Sequence, residues 1–202
     1  ILFTHAHGYM DVTMDNMPVF FLFRGHCRQL VVTTFLFFSG YGVMESIRKK
    51  GAAYVKSMPY KRVFALWLKF AIAVCIFLVI ALCMGQSITV GRFISALLSW
   101  GQIGNSNWYV TAILVLYLIA FFAFRAFGEQ SQRAAVCICV LLTFVFLIIL
   151  VHFRGTNTWF YNTLFCFPAG MIFSQCRKKF ETIVQYSRVS WWTSLIISIL
   201  VF

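Results

Sequence analysis

The fold class is decided by the stretch Val63-Phe-Ala-Leu-Trp-Leu-Lys-Phe-Ala-Ile-Ala-Val-Cys-Ile-Phe-Leu-Val-Ile-Ala-Leu-Cys-Met84, in which Lys69 is the one charged residue. About 20 mainly apolar residues suffice for an α-helix to cross the hydrocarbon core of a membrane. The same apolar character recurs along the chain, so the sequence predicts an all-α, polytopic integral membrane helix bundle. The further predicted spans are 17–47 (uninterrupted over 30–44), 108–127, 134–153 and 158–174, with partial spans at 1–10 and from 191 onward.

The composition supports a surface that faces lipid. Of the 202 residues, 61% are apolar, 11% are charged and 24 are Phe, and the mean hydropathy is +0.86. Soluble domains are about one-quarter charged. The polar residues of this chain are therefore too few to cover its outer face, and we predict a multi-pass protein of the cell membrane with lipid as a partner.

The net charge of +12 is distributed in gaps between the apolar runs. Six basic residues fall in 48–62 and only Arg92 falls in 85–107, after which Arg125 and Arg133 flank the next gap. Basic-rich and basic-poor gaps alternate, and cytoplasmic gaps are the basic-rich ones. This pattern indicates that the basic residues flank the spans on the cytoplasmic side, beside anionic lipid headgroups. It argues against nucleic acid as a partner.

Domain organisation is predicted as one transmembrane domain over residues 1–202, truncated at both ends, from a bundle of about ten transmembrane helices. The chain opens without Met inside one apolar run and stops at Phe202 inside another. Most of the seven cysteines lie in apolar runs, where a thiol behaves as a small hydrophobe. Cys137 and Cys139 form a C-x-C without nearby His or acid, so neither a metal site nor a disulfide framework is predicted.

Polar residues near or within spans are the first candidates for function, because an ionisable side chain in lipid is costly unless it is paired or faces water. His5 and His7 lie in the first partial helix, where an imidazole could act as a general base or simply sit solvated at the interface. Arg24 and Arg28 are four residues apart and share a helix face. They could hold an anionic group together, or snorkel to the interface.

Three segments, in order, resemble the membrane acyltransferase 3 family. Phe35-Leu-Phe-Phe-Ser-Gly-Tyr-Gly-Val-Met-Glu-Ser46 is similar to its "FF-x-SG" helix, and a basic cluster follows that motif. Asn107-Trp108-Tyr109 with Tyr117 is similar to its "W-(F/Y)-…-Y" helix. Trp159-Phe-Tyr-Asn-Thr-Leu-Phe-Cys-Phe-Pro-Ala-Gly-Met171 is similar to its "N-…-F-x-x-GM" segment. The order of these features matches that of the family along nearly the whole chain.

The resemblance implies an enzyme that moves an acyl group, often acetyl, from acyl-CoA to a hydroxyl of a cell-surface sugar or polysaccharide. The family's catalytic histidine corresponds to His5 or His7, with His5 favoured because the family's histidine directly ends the apolar run. Acetyl-CoA would be a co-substrate, and no permanently bound cofactor is implied. The family's arginine upstream of that histidine would fall before residue 1, and its R-x-x-R pair is not kept, because Ala65 stands three positions after Arg62.

The acyl-CoA or the sugar acceptor would be bound by residues near the helix ends. Cationic side chains would hold the CoA phosphates through charge-assisted hydrogen bonds. The substrate-binding candidates are Arg24, Arg28, Lys61, Arg62, Trp108 and Asn162. A transporter or flippase for a glycan or lipid-linked intermediate is the alternative from another class, and a non-catalytic membrane scaffold is a third reading.

Overall fold

The computed structural model describes residues 30–103, 107–128, 130–154, 161, 163–186 and 192. Of these residues 86% are helical and none is in a strand, so the all-α prediction is confirmed. The elements are α1 (Leu30–Met58), a π-helical segment (Pro59–Phe64), α2 (Ala65–Cys83), α3 (Val90–Leu97), α4 (Trp108–Phe127), α5 (Gln132–Arg154) and α6 (Cys166–Tyr186).

Three helices in this part of the chain are long and apolar enough to cross a membrane. They are the helical stretch Leu30–Cys83, which is kinked at Gly51, then Trp108–Phe127 and Gln132–Phe153. The last two coincide with the spans predicted at 108–127 and 134–153. These helices are consistent with a membrane protein, and the partial spans at 1–10 and from 191 lie outside the described residues, apart from Trp192.

The basic gap predicted at 48–62 is helical, which the hydrophobic pattern did not indicate. Lys, Arg and Ala, which dominate this gap, are good helix formers, so loss of apolar character does not end the helix here. The change of direction comes from Gly51, whose φ of 56° and ψ of −144° lie in a region that glycine adopts without steric cost. Pro59, which has no backbone N–H to donate, then opens the π-helical segment directly after Met58.

The span predicted at 158–174 is wrong at its start. Tyr161 and residues 163–165 form turns, and α6 begins at Cys166 and continues to Tyr186. Pro168 lies in the first turn of α6, where a proline removes no hydrogen bond that the helix would make. The second half of α6 is charged, so this helix is not among the three that are apolar enough to span.

The core lies between α1, α4, α5 and α6. Its central side chains are fully buried, among them Leu36, Met44, Leu116, Phe167 and Met171. Such close-packed apolar side chains fix the crossing helices against one another. The helix α2 stands at the edge and shares a separate small core with α3 around Phe70, Val74 and Ala96.

The outward faces of α2 and α5 are apolar rather than polar. Ile72 and Ile76 on α2 are 56% and 55% exposed, and Leu141 and Ile148 on α5 are 64% and 54% exposed. Large continuous apolar faces of this kind are rare on soluble monomers. They are expected where helices meet lipid.

Candidate functional site

The π-helical segment turns Arg62 toward the interior of the bundle. Its Nε donates a hydrogen bond of 3.1 Å to the hydroxyl of Tyr54, and the hydroxyl of Tyr117 also interacts with the guanidinium. Tyr54 on α1 and Tyr117 on α4 are buried, with 7% and 6% exposure. π-helical turns place side chains differently from an α-helix and recur at functional sites. This local geometry therefore makes Arg62 a candidate functional residue.

Polar groups continue from Arg62 into the bundle. Tyr117 interacts with Tyr109, which lies eight residues earlier on α4. Tyr109 in turn forms a hydrogen bond with Ser39 on α1. The ring of Tyr117 also packs edge-on against Phe167 of α6, with ring centroids 5.8 Å apart. We call Arg62, Tyr54, Tyr117, Tyr109 and Ser39 the interior polar cluster.

Arg62 is a cation without an acidic partner among the described residues. The ion pairs that the structure records there join Arg48 to Glu45 and Arg177 to Glu181. A half-buried guanidinium that is bonded only to these two neutral hydroxyls keeps its full charge and three further N–H donors. Such a group can bind an anion or orient a developing oxyanion.

The other predicted site residues fall in different places. Lys61 is exposed, so the structure separates it from its neighbour Arg62. Trp108 is half-buried at the start of α4, and its ring packs edge-on against Tyr109 with centroids 6.3 Å apart, which brings it beside the interior polar cluster. The remaining candidates, His5, His7, Arg24, Arg28 and Asn162, lie outside the described residues.

Two of the segments that carry the family resemblance are in direct contact. A methyl group built on Gly40 of α1 would overlap the backbone carbonyl of Phe167, and one built on Gly170 of α6 would overlap that of Phe37. Only hydrogen at these two positions allows the helices to cross so closely. The glycines of the SG and GM motifs therefore face each other at one crossing.

A second polar network ties α1 to α6 beyond that crossing. Ser174, which is 1% exposed, donates a hydrogen bond of 2.7 Å to Oε1 of Glu45. One turn along α6, Nη1 of Arg177 donates to the hydroxyl of Tyr41 at 2.6 Å. Hydrogen bonds to Glu181 and then to Tyr41 raise the pKa of the Arg177 guanidinium, so it stays charged.

Basic side chains from α1 and α4 meet at one end of the bundle. A cavity of about 230 Å³ at this end is lined by Gly51 and Lys56 of α1, by Arg125 of α4 and by Gln132 at the start of α5. We call this region, with the lysines and arginines of residues 48–56, the basic end. It collects residues from gaps that the sequence predicts to be on the cytoplasmic side.

Sequence reasoning missed the residues that complete these networks. Tyr54 gave no signal except that it is the one aromatic residue inside the basic stretch 48–58. Tyr117 was recognised as a motif residue and not as a site residue. Glu45 and Ser174 are 129 positions apart, and no local pattern connects residues at such a distance.

The arrangement has the chemistry of an anion site rather than a metal site. Within the residues that the structure describes, no three His, Cys, Asp or Glu side chains come together as metal ligands. Comparison of the chain with models of protein families, with curated proteins and with solved structures gives no match. Fold and composition define the class as a helical protein whose described residues include three helices long and apolar enough to cross a membrane. Its activity must be inferred from the site.

Proposed function

We propose that this chain is a membrane-bound acyltransferase of the cell membrane. It would move an acyl group, most simply acetyl, from acyl-CoA to a hydroxyl of a cell-surface sugar or polysaccharide. The ordered motifs support the proposal. So does the close crossing of α1 and α6 at Gly40 and Gly170, because motif segments of one enzyme must be neighbours to build one site.

The observation that carries the proposal is the half-buried Arg62, which has no acidic partner in the part of the chain that the structure describes. Tyr54 and Tyr117 hold its guanidinium without neutralising the charge. A buried charge is costly unless it is paired, so an anionic ligand would be stabilised here. A phosphate of acyl-CoA, or the thioester oxygen as it gains negative charge, would supply the missing anion.

The remaining chemistry requires a base near the acceptor. An imidazole, His5 or His7, would remove the proton of the sugar hydroxyl as its oxygen attacks the acyl carbon, which contributes roughly 10²–10⁴-fold in rate. The carbon–sulfur bond then breaks, and the imidazolium returns the proton to the departing thiolate. Exclusion of water from the apolar bundle would protect the acyl group from hydrolysis.

The test supplies acetyl-CoA carrying a labelled acetyl group to membranes that contain the full-length protein. Transfer of the label to surface glycans, followed by mass analysis, is expected for the wild type. Arg62→Ala should lower transfer by roughly ten- to hundredfold, because one charge-assisted hydrogen bond is lost. The milder Tyr54→Phe removes only the hydroxyl that holds Arg62 and should give a smaller loss.

Lys50→Ala is the matched control, because Lys50 is an exposed cation of α1 outside the interior polar cluster. It should retain wild-type transfer. If membranes that contain the wild-type protein neither label the glycans nor consume acetyl-CoA, that result would instead support the transporter or flippase. Full transfer by Arg62→Ala would remove Arg62 from the mechanism.

A further inference from the structure

A shallow polar groove of about 450 Å³ lies where α1, the start of α5 and α6 meet. Two arginines, two amides and a hydroxyl line it, and all of them can donate hydrogen bonds. They are Arg48, Arg133, Gln132, Gln175 and Ser131. We infer that this groove binds a phosphate group, at a position separate from the interior polar cluster.

Arg48 is held in place at the groove. Its Nη1 donates to Oε1 of Glu45 at 3.0 Å and to the backbone oxygen of Ser174 at 3.1 Å. The buried Ser174 side chain fixes the same carboxylate. The hydrogen bonds recorded for Arg48 all use Nη1, so its other guanidinium nitrogens can serve a ligand without disturbing this anchor.

Arg133 contributes a positive charge that no other described residue offsets. With the other described residues it forms no hydrogen bond and no ion pair, whereas Glu45 offsets part of the charge of Arg48. Two guanidinium groups with one carboxylate leave the groove positive. A phosphate has the charge and the acceptor geometry that guanidinium groups bind through paired hydrogen bonds.

The start of α5 is fixed against α6 beside the two arginines. The side-chain amide of Gln175 donates to the backbone oxygen of Gln132 at 3.4 Å, and the hydroxyl of Ser131 accepts from the N–H of Ala134 at 3.3 Å. The first N–H groups of a helix add partial positive charge. This contribution is secondary to the arginines, but it has the same sign.

A phosphate could come from an anionic lipid headgroup or from a soluble phosphate compound, and the recognition chemistry is the same. The purified full-length protein in non-ionic detergent is therefore titrated in two arms. Inorganic pyrophosphate is followed by calorimetry, and phosphatidylglycerol is followed by native mass spectrometry. Saturable pyrophosphate binding assigns the groove to soluble phosphates, and saturable phosphatidylglycerol binding alone assigns it to a headgroup.

Arg133→Gln and Lys50→Gln form the matched pair, because each removes one exposed positive charge at the same end of the bundle. Arg133→Gln should weaken binding by about tenfold or more, and Lys50→Gln by less than about twofold. Equal weakening by both variants would mean diffuse attraction by the net charge, and it would overturn the assignment. Failure of both probes to bind saturably would overturn it as well.

Discussion

Replacement of Gly40 by Ala should separate α1 from α6. The added methyl group would come within 2.8 Å of the carbonyl carbon of Phe167 and closer still to its oxygen. Ordinary van der Waals contact begins at 3.4 Å. The distance between the added methyl group and the carbonyl carbon of Phe167 must therefore increase by 0.6 Å, the difference between 3.4 and 2.8 Å. The obstacle is backbone inside a packed helix, which cannot rotate away as a side chain can.

Overpacking of this kind costs up to about 3 kcal/mol, and Ala gains about 1 kcal/mol over Gly inside a helix. Gly40→Ala should therefore lower the free energy of unfolding by about 2 kcal/mol, or Tm by roughly 4–8 °C for a chain of this size. The assay is thermal unfolding of the purified protein in detergent.

Gly42→Ala is the control within the same motif, because a methyl group there meets nothing within 4 Å. It should leave Tm unchanged or raise it slightly through helix propensity alone. Gly170→Ala should reproduce the loss, since its methyl group would lie 2.9 Å from the carbonyl carbon of Phe37. Equal Tm values for Gly40→Ala and Gly42→Ala would refute the close crossing.

Three further predictions concern single polar residues. Ser174→Ala should lower the free energy of unfolding by about 1–2 kcal/mol, measured by thermal unfolding, because Glu45 loses a buried hydrogen bond. Asn107→Ala should lower the free energy of unfolding by about 1–3 kcal/mol in the same assay. The side-chain oxygen of this 0%-exposed residue accepts a hydrogen bond from Gln102 in the loop before α4. His5→Ala and His7→Ala, made singly, should leave expression normal while one of them abolishes acetyl transfer. Full activity in both variants would show that the assignment of the base to His5 or His7 is wrong.

The sequence predicted α4 and α5 closely because their apolar runs end at clear polar boundaries. Asn107 precedes α4, and its backbone oxygen accepts the first N–H bond of that helix, from Thr111. The path between α1 and α2 was not predicted, because hydropathy distinguishes lipid-facing from water-facing residues and not helix from loop. A helix rich in Lys and Ala outside the lipid looks like a connecting loop by that measure.

The candidate site could be predicted only in part. The family resemblance and its position near the start of a predicted span make Arg62 a candidate for binding CoA phosphates, and the structure places it beside Tyr54 and Tyr117. Lys61 is equivalent to Arg62 by sequence, but adjacent residues point in different directions on a helix, and only Arg62 faces inward here. Partners such as Tyr54 depend on a tertiary contact, and residue type and spacing along the chain do not encode it.

The measurement that tests the central claim most directly is the equilibrium binding of acetyl-CoA to the purified full-length protein. The wild type and Lys50→Ala should bind with the same Kd, whereas Arg62→Ala should bind roughly ten- to hundredfold more weakly. Unchanged binding in Arg62→Ala, or no binding by the wild type at all, would contradict the acyltransferase account.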